Sequence, residues 1–409
     1  SRPLWEMWLV EGLEHGHLAL VAKLHHATVD GVLGVELMAT LFDLEPTTVG
    51  AARTSAAWEP ERVPSEIEMI VGAVASFATR PLKMAKALRN ATRSAIRVAQ
   101  RVRNEHLTAG APFNTPRTSF NGVITPHRTV AYHESSLSEI KEIKDAFGAT
   151  VNDVVLTVCT GALRTYLEAR GEVPEKPLIA AIPASVRTET QRGVPGNRVS
   201  AMFGSLPVQL DDPAQRLRAV AEAMSGAKLV HDDVGSNTLQ EWAEVAAPIL
   251  FARGARMYNR LLEGRHAPIV NLVLSNVPGP PFPLYCVGAR LVSLFPLGPI
   301  MAGAGLNITV VSYLDSVEFG LIGCRELLPD LWQIADAVPD ALAELHKAAV
   351  ELGRKPAKRV AANSPAAKRA AAKRPGAQRT PAKRAAVKRT PARRPVARAW
   401  PPPMSTRLT

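Results

Sequence analysis

The segment best equipped for chemistry is AKLHHATVDGVLG, residues 22–34, in which two adjacent histidines precede an aspartate and a glycine. A metal site, a proton-transfer site and a pair of core histidines beside a turn are the three alternatives. The preceding residues predict a strand, and neighbouring strand residues point to opposite faces, so His25 and His26 are poorly placed to bind one ion. The segment also lacks the helical i, i+4 spacing and the CxxC pairs typical of zinc sites. We therefore predict no metal site.

Of the two histidines, His26 is the better candidate for proton transfer. By strand alternation it shares a face with the apolar residues 18, 20, 22 and 24, whereas His25 shares its face with Lys23. An imidazole on the apolar side is a neutral proton acceptor, which suits a general base. Asp30 can hold the loop by pairing with an arginine, and Gly31 lets the backbone turn sharply and offer an N–H to an oxyanion. Adjacent histidines alone are more often core residues, but the complete string HHATVDG favours the base.

Other reaction types lack their sequence signatures. The chain contains no GxSxG nucleophile elbow, no GxxxxGKS/T phosphate loop and no GxGxxG nucleotide-binding loop. No serine or cysteine stands in a pattern typical of a covalent nucleophile. A single-step transfer with histidine as the base is the reaction type that fits, and we expect it to need no cofactor.

The positive charge of the chain is concentrated at its end. The formal net charge is +12, yet 17 of the 49 Lys and Arg residues lie at or after Arg354, where there is no Asp or Glu. The part before Arg354 therefore carries 32 basic and 37 acidic residues and a formal charge of about −5. Because basic pairs separated by Ala, Pro and Thr cannot form a core, we predict that residues 354–409 are disordered.

The cysteines and the apolar runs indicate the compartment. Cys159, Cys286 and Cys324 lie in apolar runs without CxxC spacing, which predicts buried thiols in a reducing environment. No apolar run approaches the ~18 residues that span a bilayer. We expect a cytoplasmic protein, attached peripherally to a membrane or to a lipid-droplet surface.

Because the chain runs from Ser1 directly into the strand-like RPLWEMWLV, we also expect that an N-terminal portion is missing.

The predicted elements define the fold class. Residues 4–24 predict a hairpin with its turn at EHG, and strands and helices are mixed from about residue 125 to 353. Without the regular alternation of a doubly wound sheet, we predict an α/β class of the mixed α+β kind. We divide the chain into a remnant of an N-terminal lobe at 1–78, a basic amphipathic helix with its linker at 79–124, a C-terminal lobe at 125–353 and the tail at 354–409.

The segment 80–103 predicts a helix with one basic face and one apolar face. Such a helix can lie on an anionic membrane surface. It can equally be a solvated helix that packs on the protein through its apolar side. The sequence leaves both alternatives open.

HHATVDG matches the HHxxxDG signature of the CoA-dependent acyltransferase superfamily, and the chain more narrowly resembles the bacterial wax ester synthase/acyl-CoA:diacylglycerol acyltransferase family. This resemblance extends to residue 353 and rests on an ordered set of stretches: RPLWEMWLVEGL, VNDVV, PASVR, GNRVS, LSNVPGP, GARLVSLFPLGPIMAGAGLNITVVSY and FGLIGCRELLPD. It implies a two-lobed, chloramphenicol-acetyltransferase-like fold, here with a truncated first lobe, and a tunnel between the lobes.

The resemblance also implies a reaction. Acyl-CoA enters from one side and an alcohol from the other, and His26 takes the proton of the hydroxyl as its oxygen attacks the thioester. In this scheme Asp30 is structural, Gly31 shapes the site, and His25 orients or packs. The acceptor is diacylglycerol, which gives triacylglycerol, or a long-chain fatty alcohol, which gives a wax ester. Acyl-CoA acts as a substrate, and no separate cofactor is expected.

Two of the matching residues belong to the ND motif of the family, which the resemblance assigns to the substrate site. These are Asn152 and Asp153. The pattern Thr150-x-x-Asp153 is also typical of a capping box at a helix start, and we favour that structural role for Asp153.

Four further residues come from two other matching stretches. Ser275, Asn276 and Gly279 lie in SNVPGP, which either lies near the tunnel or forms a tight turn after a strand. Arg187 in PASVR pairs with Asp30, contacts a CoA phosphate or is a plain surface arginine.

An alternative hypothesis assigns the function to the tail. The folded part is then a catalytically degenerate or truncated homologue, and residues 354–409 bind nucleic acid or an anionic membrane through nonspecific phosphate contacts. Only Trp400 provides an aromatic ring in the tail, so base stacking has no support. A condensation-type amide former is disfavoured because no carrier-protein module accompanies the lobes.

Overall fold

The structure is a computed structural model of the 409-residue chain. It describes residues 3–25, 41–46, 62, 64–68, 71, 85–86, 89–90, 92–94, 96–98, 110, 115–185, 199–234, 257 and 268–354, all within the compact unit Ser1–Lys355. The predictions for His26, Asp30, Gly31, Arg187 and the tail fall on residues outside this set. The predicted domain boundaries stay predictions.

The chain begins with the predicted hairpin. Strand β1 (Trp5–Val10) pairs antiparallel with β2 (Ala19–Leu24), so that Trp5 lies opposite Leu24. A 3-10 turn, Glu14–Gly16, connects the strands at the predicted EHG sequence. The hairpin is therefore confirmed, and its second strand leads the chain to the histidine motif.

The remaining elements mix strands and helices, as the sequence predicts, and include a short ribbon. They are β3 (Arg128–Ser136), α1 (Leu137–Phe147), α2 (Val151–Glu168), β4 (Leu178–Ser185), β5 (Val199–Leu206), α3 (Pro213–Val234), β6 (Leu272–Val277), β7 (Tyr285–Cys286), β8 (Ala289–Arg290), β9 (Leu306–Tyr313), β10 (Ser316–Cys324) and α4 (Trp332–Arg354).

Six of these strands form one sheet in the order β3-β10-β9-β6-β4-β5. The pairs β3/β10, β10/β9 and β4/β5 are antiparallel, whereas β9/β6 and β6/β4 are parallel. Parallel and antiparallel strands thus share a sheet that packs against helices. The predicted mixed α/β class is confirmed.

The two faces of the sheet are covered differently. Alternate residues of a strand point to opposite faces. On one face, Val317, Phe319 and Leu321 of β10 pack with apolar residues of all four helices in the main core. The other face carries Glu318 and Gly320, together with a smaller apolar cluster that consists of Ile179, Ala181, Val270, Val273 and Ala304. We call this the second face.

An irregular segment, residues 291–299, crosses the second face, and we call it the strap. Its first residue is held by Tyr313, whose hydroxyl donates a hydrogen bond to the Leu291 carbonyl at 3.1 Å. Its last residue is held by Asn307, whose Nδ2 donates to the Pro299 carbonyl at 2.9 Å. Both ends of the strap are therefore fixed to β9.

The middle of the strap lies directly on the sheet backbone. A Cβ atom at Gly320 would overlap the carbonyl oxygen of Pro296, so glycine is required where the two backbones meet. Beside this point, the Phe295 ring lies 4.7 Å from the ring of Tyr132 on β3. The strap thus packs on β3, β9 and β10 together.

A short turn separates helices α1 and α2, and a capping residue stands on each side of it. Gly148 ends α1 at φ 66°, and Thr150 caps α2. The Thr150 hydroxyl accepts from the Asp153 N–H at 3.2 Å, and the Asp153 carboxylate accepts from the Thr150 N–H at 3.0 Å.

In the described part of the chain, no single helix is long and apolar enough to cross a bilayer. Only α1 and α2 taken together, bent by 106°, meet the length and composition that this requires.

The basic helix predicted for 80–103 is described in part. Residues 85–86, 89–90, 92–94 and 96–98 are helical, and Lys86, Arg89 and Arg93 are exposed. Arg97 donates from Nη2 to the carbonyl of Asp233 at 2.7 Å, near the end of α3. A cation at these last carbonyls is favourable because they carry the negative end of the helix dipole. Most of the predicted apolar face lies outside the described residues.

We expect Thr150→Ala to lower the free energy of unfolding by about 1–2 kcal/mol. The substitution removes the N-cap hydroxyl and leaves the buried Asp153 carboxylate without one of its donors. Urea unfolding monitored by circular dichroism measures the change. The matched control is Thr165→Ala in the same helix, where the exposed hydroxyl only bonds back to the Gly161 carbonyl. An equal loss of stability in both variants would contradict the capping role.

Candidate functional site

The first part of the candidate site is the end of the hairpin. The His25 backbone N–H donates to the Leu4 carbonyl at 2.7 Å, which extends the β1–β2 ladder by one bond. The His25 side chain is exposed. His26, Asp30 and Gly31 lie beyond the described residues, so the roles predicted for them stay predictions.

The ND motif and the SNVPGP loop, predicted separately, are brought together by the fold. Asn276 occupies the end of β6, and its Nδ2 donates to the Oδ1 of Asn152 at 3.3 Å. Asn152 lies in the first turn of α2, and both asparagines are half-buried. Two of the predicted substrate-site residues therefore form one polar pair at the N-terminal end of a helix.

Asp153, the second residue of the ND motif, has a structural role. Its carboxylate receives both the N–H and the hydroxyl of Thr150, at 3.0 and 2.7 Å, and the residue is 6% exposed. The capping box that the spacing predicts is confirmed. A contact of Asp153 with substrate would have to compete with these two hydrogen bonds.

Ser275 and Asn276 point to opposite faces of the sheet because they are consecutive in β6. Ser275 lies in register with Thr309 of β9, on the second face. Asn276 lies on the helical face with Asn152. The two residues therefore do not form a single contact set, although the sequence places both in one motif.

The rest of the loop packs on β9 and on its turn. The Gly279 N–H donates to the Ser312 hydroxyl at 3.1 Å, and a Cβ at Gly279 would overlap the Ser312 carbonyl oxygen. One residue later, the Pro280 carbonyl accepts from the Leu314 N–H at 3.3 Å. Gly279 is thus required by a close backbone approach, and the SNVPGP loop is tied to the β9–β10 hairpin.

Tyr313 joins the same hairpin to two other segments. Its hydroxyl accepts from the Leu284 N–H at 3.0 Å and donates to the Leu291 carbonyl at 3.1 Å. The side chain is almost fully buried, so both bonds are made away from water. Ser312 and Tyr313 end the matching stretch GARLVSLFPLGPIMAGAGLNITVVSY, but the sequence assigns neither of them a role in the site, because their partners are distant in the chain.

Two buried asparagines fix the start of β6, which leads to the SNVPGP loop. Asn271 accepts from the Ile179 N–H at 2.8 Å and donates to Asn121 Oδ1 at 2.8 Å. Asn121 Nδ2 in turn donates to the carbonyls of Asn271 at 2.9 Å and Gly303 at 2.7 Å. Burying an amide group without a hydrogen-bond partner costs free energy, and these bonds give both amide groups partners. They lock β6, β4 and the 301–305 turn into one arrangement.

A buried carboxylic acid lies beneath the second face. Glu318 of β10 is 0% exposed and stands opposite Glu134 of β3. Burial raises the pKa of Glu318 to about 7, although the hydrogen bond from the Ser316 hydroxyl lowers it, and the negative charge of Glu134 adds to the rise. Among the described residues, no donor reaches its Oε2 atom. The sequence gives no sign of this acid, because Glu318 follows a turn where a charged residue normally faces solvent.

The described residues supply little for covalent or metal chemistry. Cys159 and Cys324 are buried as predicted, and burial raises the pKa of the Cys159 thiol to about 12. Cys286 is only half-buried, which corrects the prediction for that thiol. The segment 282–290 forms a small two-stranded ribbon instead of a core strand, and this leaves Cys286 near the surface. Within the described part of the chain, no three His, Cys, Asp or Glu residues are arranged to hold a metal ion.

Comparison with known proteins defines the class of fold first. The structure matches that of the wax ester synthase/diacylglycerol acyltransferase from Marinobacter aquaeolei VT8 with a TM-score of 0.59 and 30% identity, over 86% of this chain and 73% of the other. This likeness confirms the predicted fold, which is that of an acyltransferase.

Sequence comparison then gives the family. The wax ester synthase/diacylglycerol acyltransferase catalytic domain matches residues 1–155, and the WS/DGAT C-terminal domain matches residues 195–346. A Mycobacterium tuberculosis protein that carries the name diacylglycerol O-acyltransferase is 40% identical over 350 residues, which are 84% of this chain and 68% of the relative. A second one is 36% identical over 359 residues, 85% of this chain and 75% of the relative. The chain belongs to the wax ester synthase/diacylglycerol acyltransferase family.

We expect Gly279→Ala to lower the free energy of unfolding by about 1–3 kcal/mol, because the loop backbone must move away from Ser312. Chemical denaturation of the two purified proteins measures the difference. Gly353→Ala is the matched control, since a Cβ there meets no atom within 4 Å. In a helix this second change is neutral or stabilising. Unchanged stability of Gly279→Ala would show that the loop does not need this close approach.

Proposed function

We propose that this chain transfers a long-chain acyl group from acyl-CoA to the hydroxyl of diacylglycerol or of a long-chain fatty alcohol. The product is triacylglycerol in the first case and a wax ester in the second. The observation that carries the proposal is the match of the family's catalytic domain to residues 1–155, which include HHATVDG. The 40% identical relative named diacylglycerol O-acyltransferase supports diacylglycerol as an acceptor, and the Marinobacter enzyme supports the fatty alcohol as the other.

In the proposed reaction His26 is the general base. The acceptor oxygen forms a bond to the thioester carbonyl carbon while its proton passes to the imidazole. Collapse of the tetrahedral adduct then breaks the carbon–sulfur bond, and the imidazolium returns the proton to the CoA thiolate. Because the pKa of an alcohol is far above 7, attack and proton transfer must be concerted. A well-placed base contributes about 10²–10⁴-fold to such a step.

The neighbours of His26 complete the proposed active site. Gly31 frees the backbone to offer an N–H to the developing oxyanion. Asp30 holds the turn, and His25 orients or packs beside the base. The hairpin supports this arrangement because the His25 N–H bond to Leu4 fixes the chain immediately before His26.

The polar pair of Asn152 and Asn276 is the proposed contact with substrate in the C-terminal lobe. The two side chains meet where β6 ends and α2 begins, and the positive end of the α2 dipole lies there. Such a helix end favours the carbonyl and phosphate oxygens of acyl-CoA. Arg187, Ser275 and Gly279 belong to the same proposal, Arg187 as a phosphate contact and the other two as parts of the loop that carries Asn276.

The transfer is proposed to proceed without a covalent enzyme intermediate. The thiolate is the nucleophilic form of cysteine, and burial with a raised pKa keeps Cys159 protonated. Cys324 is fully buried. These features support direct attack by the alcohol. In this proposal acyl-CoA is consumed as a substrate, and no separate cofactor is proposed.

We expect His26→Ala to lower the rate of ester formation by about 10²-fold or more. Purified protein is incubated with labelled palmitoyl-CoA and with either dipalmitoylglycerol or hexadecanol, and the neutral lipids are separated. The acceptor that yields labelled ester identifies the substrate. The matched control is His17→Ala, which removes an exposed histidine of the same hairpin that lies outside the motif.

The result that would contradict this assignment is ester formation by His26→Ala at the rate of the unsubstituted protein. A loss of activity in His17→Ala of the same size would show that the hairpin, and not the base, is affected. If the unsubstituted protein forms no ester with either alcohol while its circular dichroism spectrum is that of a folded protein, the proposed reaction is wrong for this chain.

We further propose that the tail attaches the protein to anionic surfaces and takes no part in acyl transfer. The tail carries 17 basic residues from Arg354 onward and no acidic ones. Such a segment is attracted to anionic lipid headgroups or to nucleic acid, and the attraction weakens with salt. The function is then modular, with peripheral membrane or lipid-droplet attachment of a cytoplasmic enzyme.

Removal of residues 355–409 is expected to leave the rate of acyl transfer between soluble substrates unchanged and to abolish salt-sensitive binding to phosphatidylserine vesicles. The deletion leaves α4 complete. Co-sedimentation with vesicles at low and high salt, and a parallel assay with duplex DNA, measure the binding. Loss of acyl transfer on deletion would disprove the modular function. Undiminished vesicle binding would assign the attachment to the folded part.

A further inference from the structure

A side chain from β9 completes the base of the small ribbon β7–β8. The ribbon pairs Tyr285–Cys286 with Ala289–Arg290, and in the same register Leu284 stands opposite Leu291. The Leu291 N–H donates directly to the Leu284 carbonyl at 2.8 Å. In a regular antiparallel pair the Leu284 N–H would donate to the Leu291 carbonyl in return. Here it donates to the Tyr313 hydroxyl at 3.0 Å, and that hydroxyl donates to the Leu291 carbonyl at 3.1 Å.

The Tyr313 hydroxyl thus takes the place of one backbone hydrogen bond, and the directions of its two bonds are fixed. An N–H can only donate and a carbonyl can only accept, so the single phenol proton goes to Leu291. Tyr313 and Leu284 are each 1% exposed, which keeps water away from these bonds. Without the hydroxyl, the two backbone groups either pair directly, which narrows the base of the ribbon, or stay unpaired at a cost in free energy. In both cases the ribbon loses its attachment to β9.

The outer edge of the ribbon holds the segment that follows the histidine motif. The Asp43 N–H donates to the Tyr285 carbonyl at 2.7 Å, and the Tyr285 N–H donates to the Asp43 carbonyl at 2.8 Å. We call this pair of bonds the Asp43–Tyr285 bridge. Beside it, Leu44, Phe282 and Pro283 line one small cavity, so side chains from both sides of the bridge lie close together. The bridge is one residue away from the contact with Tyr313, and the base of the ribbon therefore sets its position.

The Asp43–Tyr285 bridge joins the two matched family domains. Asp43 and the histidine motif lie in the catalytic domain, residues 1–155, whereas the ribbon and Tyr313 lie in the C-terminal domain, residues 195–346. The proposed base and the SNVPGP loop are divided in the same way. A misplacement of about 1 Å between reacting groups can slow catalysis about 10²-fold. The contacts that join the two domains therefore matter for the rate.

The chain is anchored on both sides of the histidine motif. Before the motif, the His25 N–H is bonded to the Leu4 carbonyl of the hairpin. After it, Asp43 is bonded to the ribbon, 12 positions beyond Gly31, which ends the motif. A displacement of the ribbon is therefore passed on to the segment that carries the proposed base.

We propose that Tyr313 is a positioning residue for acyl transfer: its hydroxyl completes the base of the ribbon and holds Tyr285 where it pairs with Asp43. The preceding residue, Ser312, holds the SNVPGP loop by accepting from the Gly279 N–H. Two consecutive residues of β9 thus fix the proposed substrate loop and the anchor of the catalytic segment. The effect on catalysis rests on the proposed function, whereas the effect on the Asp43–Tyr285 bridge does not.

Five full-length variants test this role. Tyr313→Phe removes the hydroxyl and keeps the ring. Tyr132→Phe is its matched control, because it makes the same change at a half-exposed tyrosine of β3. Asp43→Pro removes the N–H that donates to Tyr285. Asp43→Ala is the control for this change, since it alters only the exposed side chain and keeps the N–H. The fifth variant combines Tyr313→Phe with Asp43→Pro.

Hydrogen exchange measured by mass spectrometry reports on the bridge directly. In Tyr313→Phe, the peptide that contains Asp43 should exchange about tenfold faster, the change expected when one hydrogen bond is lost. Peptides from β10 should keep their protection, and Tyr132→Phe should match the unsubstituted protein throughout. Full protection of the Asp43 peptide in Tyr313→Phe would overturn the proposal, whatever the kinetic result.

The kinetic test separates positioning from stability. At a temperature where circular dichroism shows each protein to be folded, kcat for ester formation should fall about tenfold in Tyr313→Phe and in Asp43→Pro. The KM for palmitoyl-CoA should stay the same, because the SNVPGP loop keeps its bonds to Ser312 and Leu314. Both control variants should keep the original kcat. If Tyr313→Phe lowers the free energy of unfolding but leaves kcat unchanged, Tyr313 is structural and the positioning role is wrong.

The double variant shows whether Tyr313 acts through the bridge. Changes that disrupt the same contact are not additive, so its kcat should be no lower than that of the slower single variant. A loss equal to the product of the two single effects, about a hundredfold, would show that the two residues act independently and would contradict the proposal. If even the unsubstituted protein forms no ester, the proposed reaction fails, and hydrogen exchange still decides whether Tyr313 holds the bridge.

Discussion

Two loops of this protein lie directly against the backbone of the β9–β10 hairpin, and both approaches depend on glycine. The strap crosses β10 at Gly320, where any side chain would overlap Pro296. The SNVPGP loop meets β9 at Gly279, where a side chain would overlap Ser312. Backbones this close cannot be separated by water or adjusted by rotamers, so the hairpin fixes the position of both loops. The second face of the sheet is therefore organised around one pair of strands.

Buried polar groups then select one arrangement around this hairpin. The main core would tolerate some exchange among its aliphatic residues. The amides of Asn121 and Asn271, by contrast, have their partners only if β4, β6 and the 301–305 turn adopt the observed register. The Tyr313 hydroxyl imposes the same condition on the strap. An alternative packing would leave these groups unpaired at a cost of about 1–3 kcal/mol each, which explains why polar residues occupy the interior here.

The start of α2 combines a structural role and a proposed functional role in adjacent residues. Asp153 turns inward to complete the capping box with Thr150, while Asn152 lies beside it and meets Asn276. A helix start is suited to both tasks, since its unpaired N–H groups need acceptors and attract anionic or carbonyl oxygens. The ND motif is thus best understood as a structural aspartate next to an asparagine that faces the proposed substrate loop.

The sequence by itself determined the family, the fold class, the hairpin and the start of α2, and it supplied the proposed base. These depend on neighbouring residues, such as the spacing HHxxxDG, the Thr150-x-x-Asp153 cap or the alternation of a strand. Only the tertiary structure decided that Asn152 meets Asn276, that Ser275 faces away from them and that Gly279 is held by Ser312. It also showed that Glu318 is buried, whereas local sequence would assign it to solvent. The contacts of Asn152 with Asn276 and of Gly279 with Ser312 join residues separated by 124 and 33 positions. No local pattern encodes them, because they exist only after the sheet has brought the strands together.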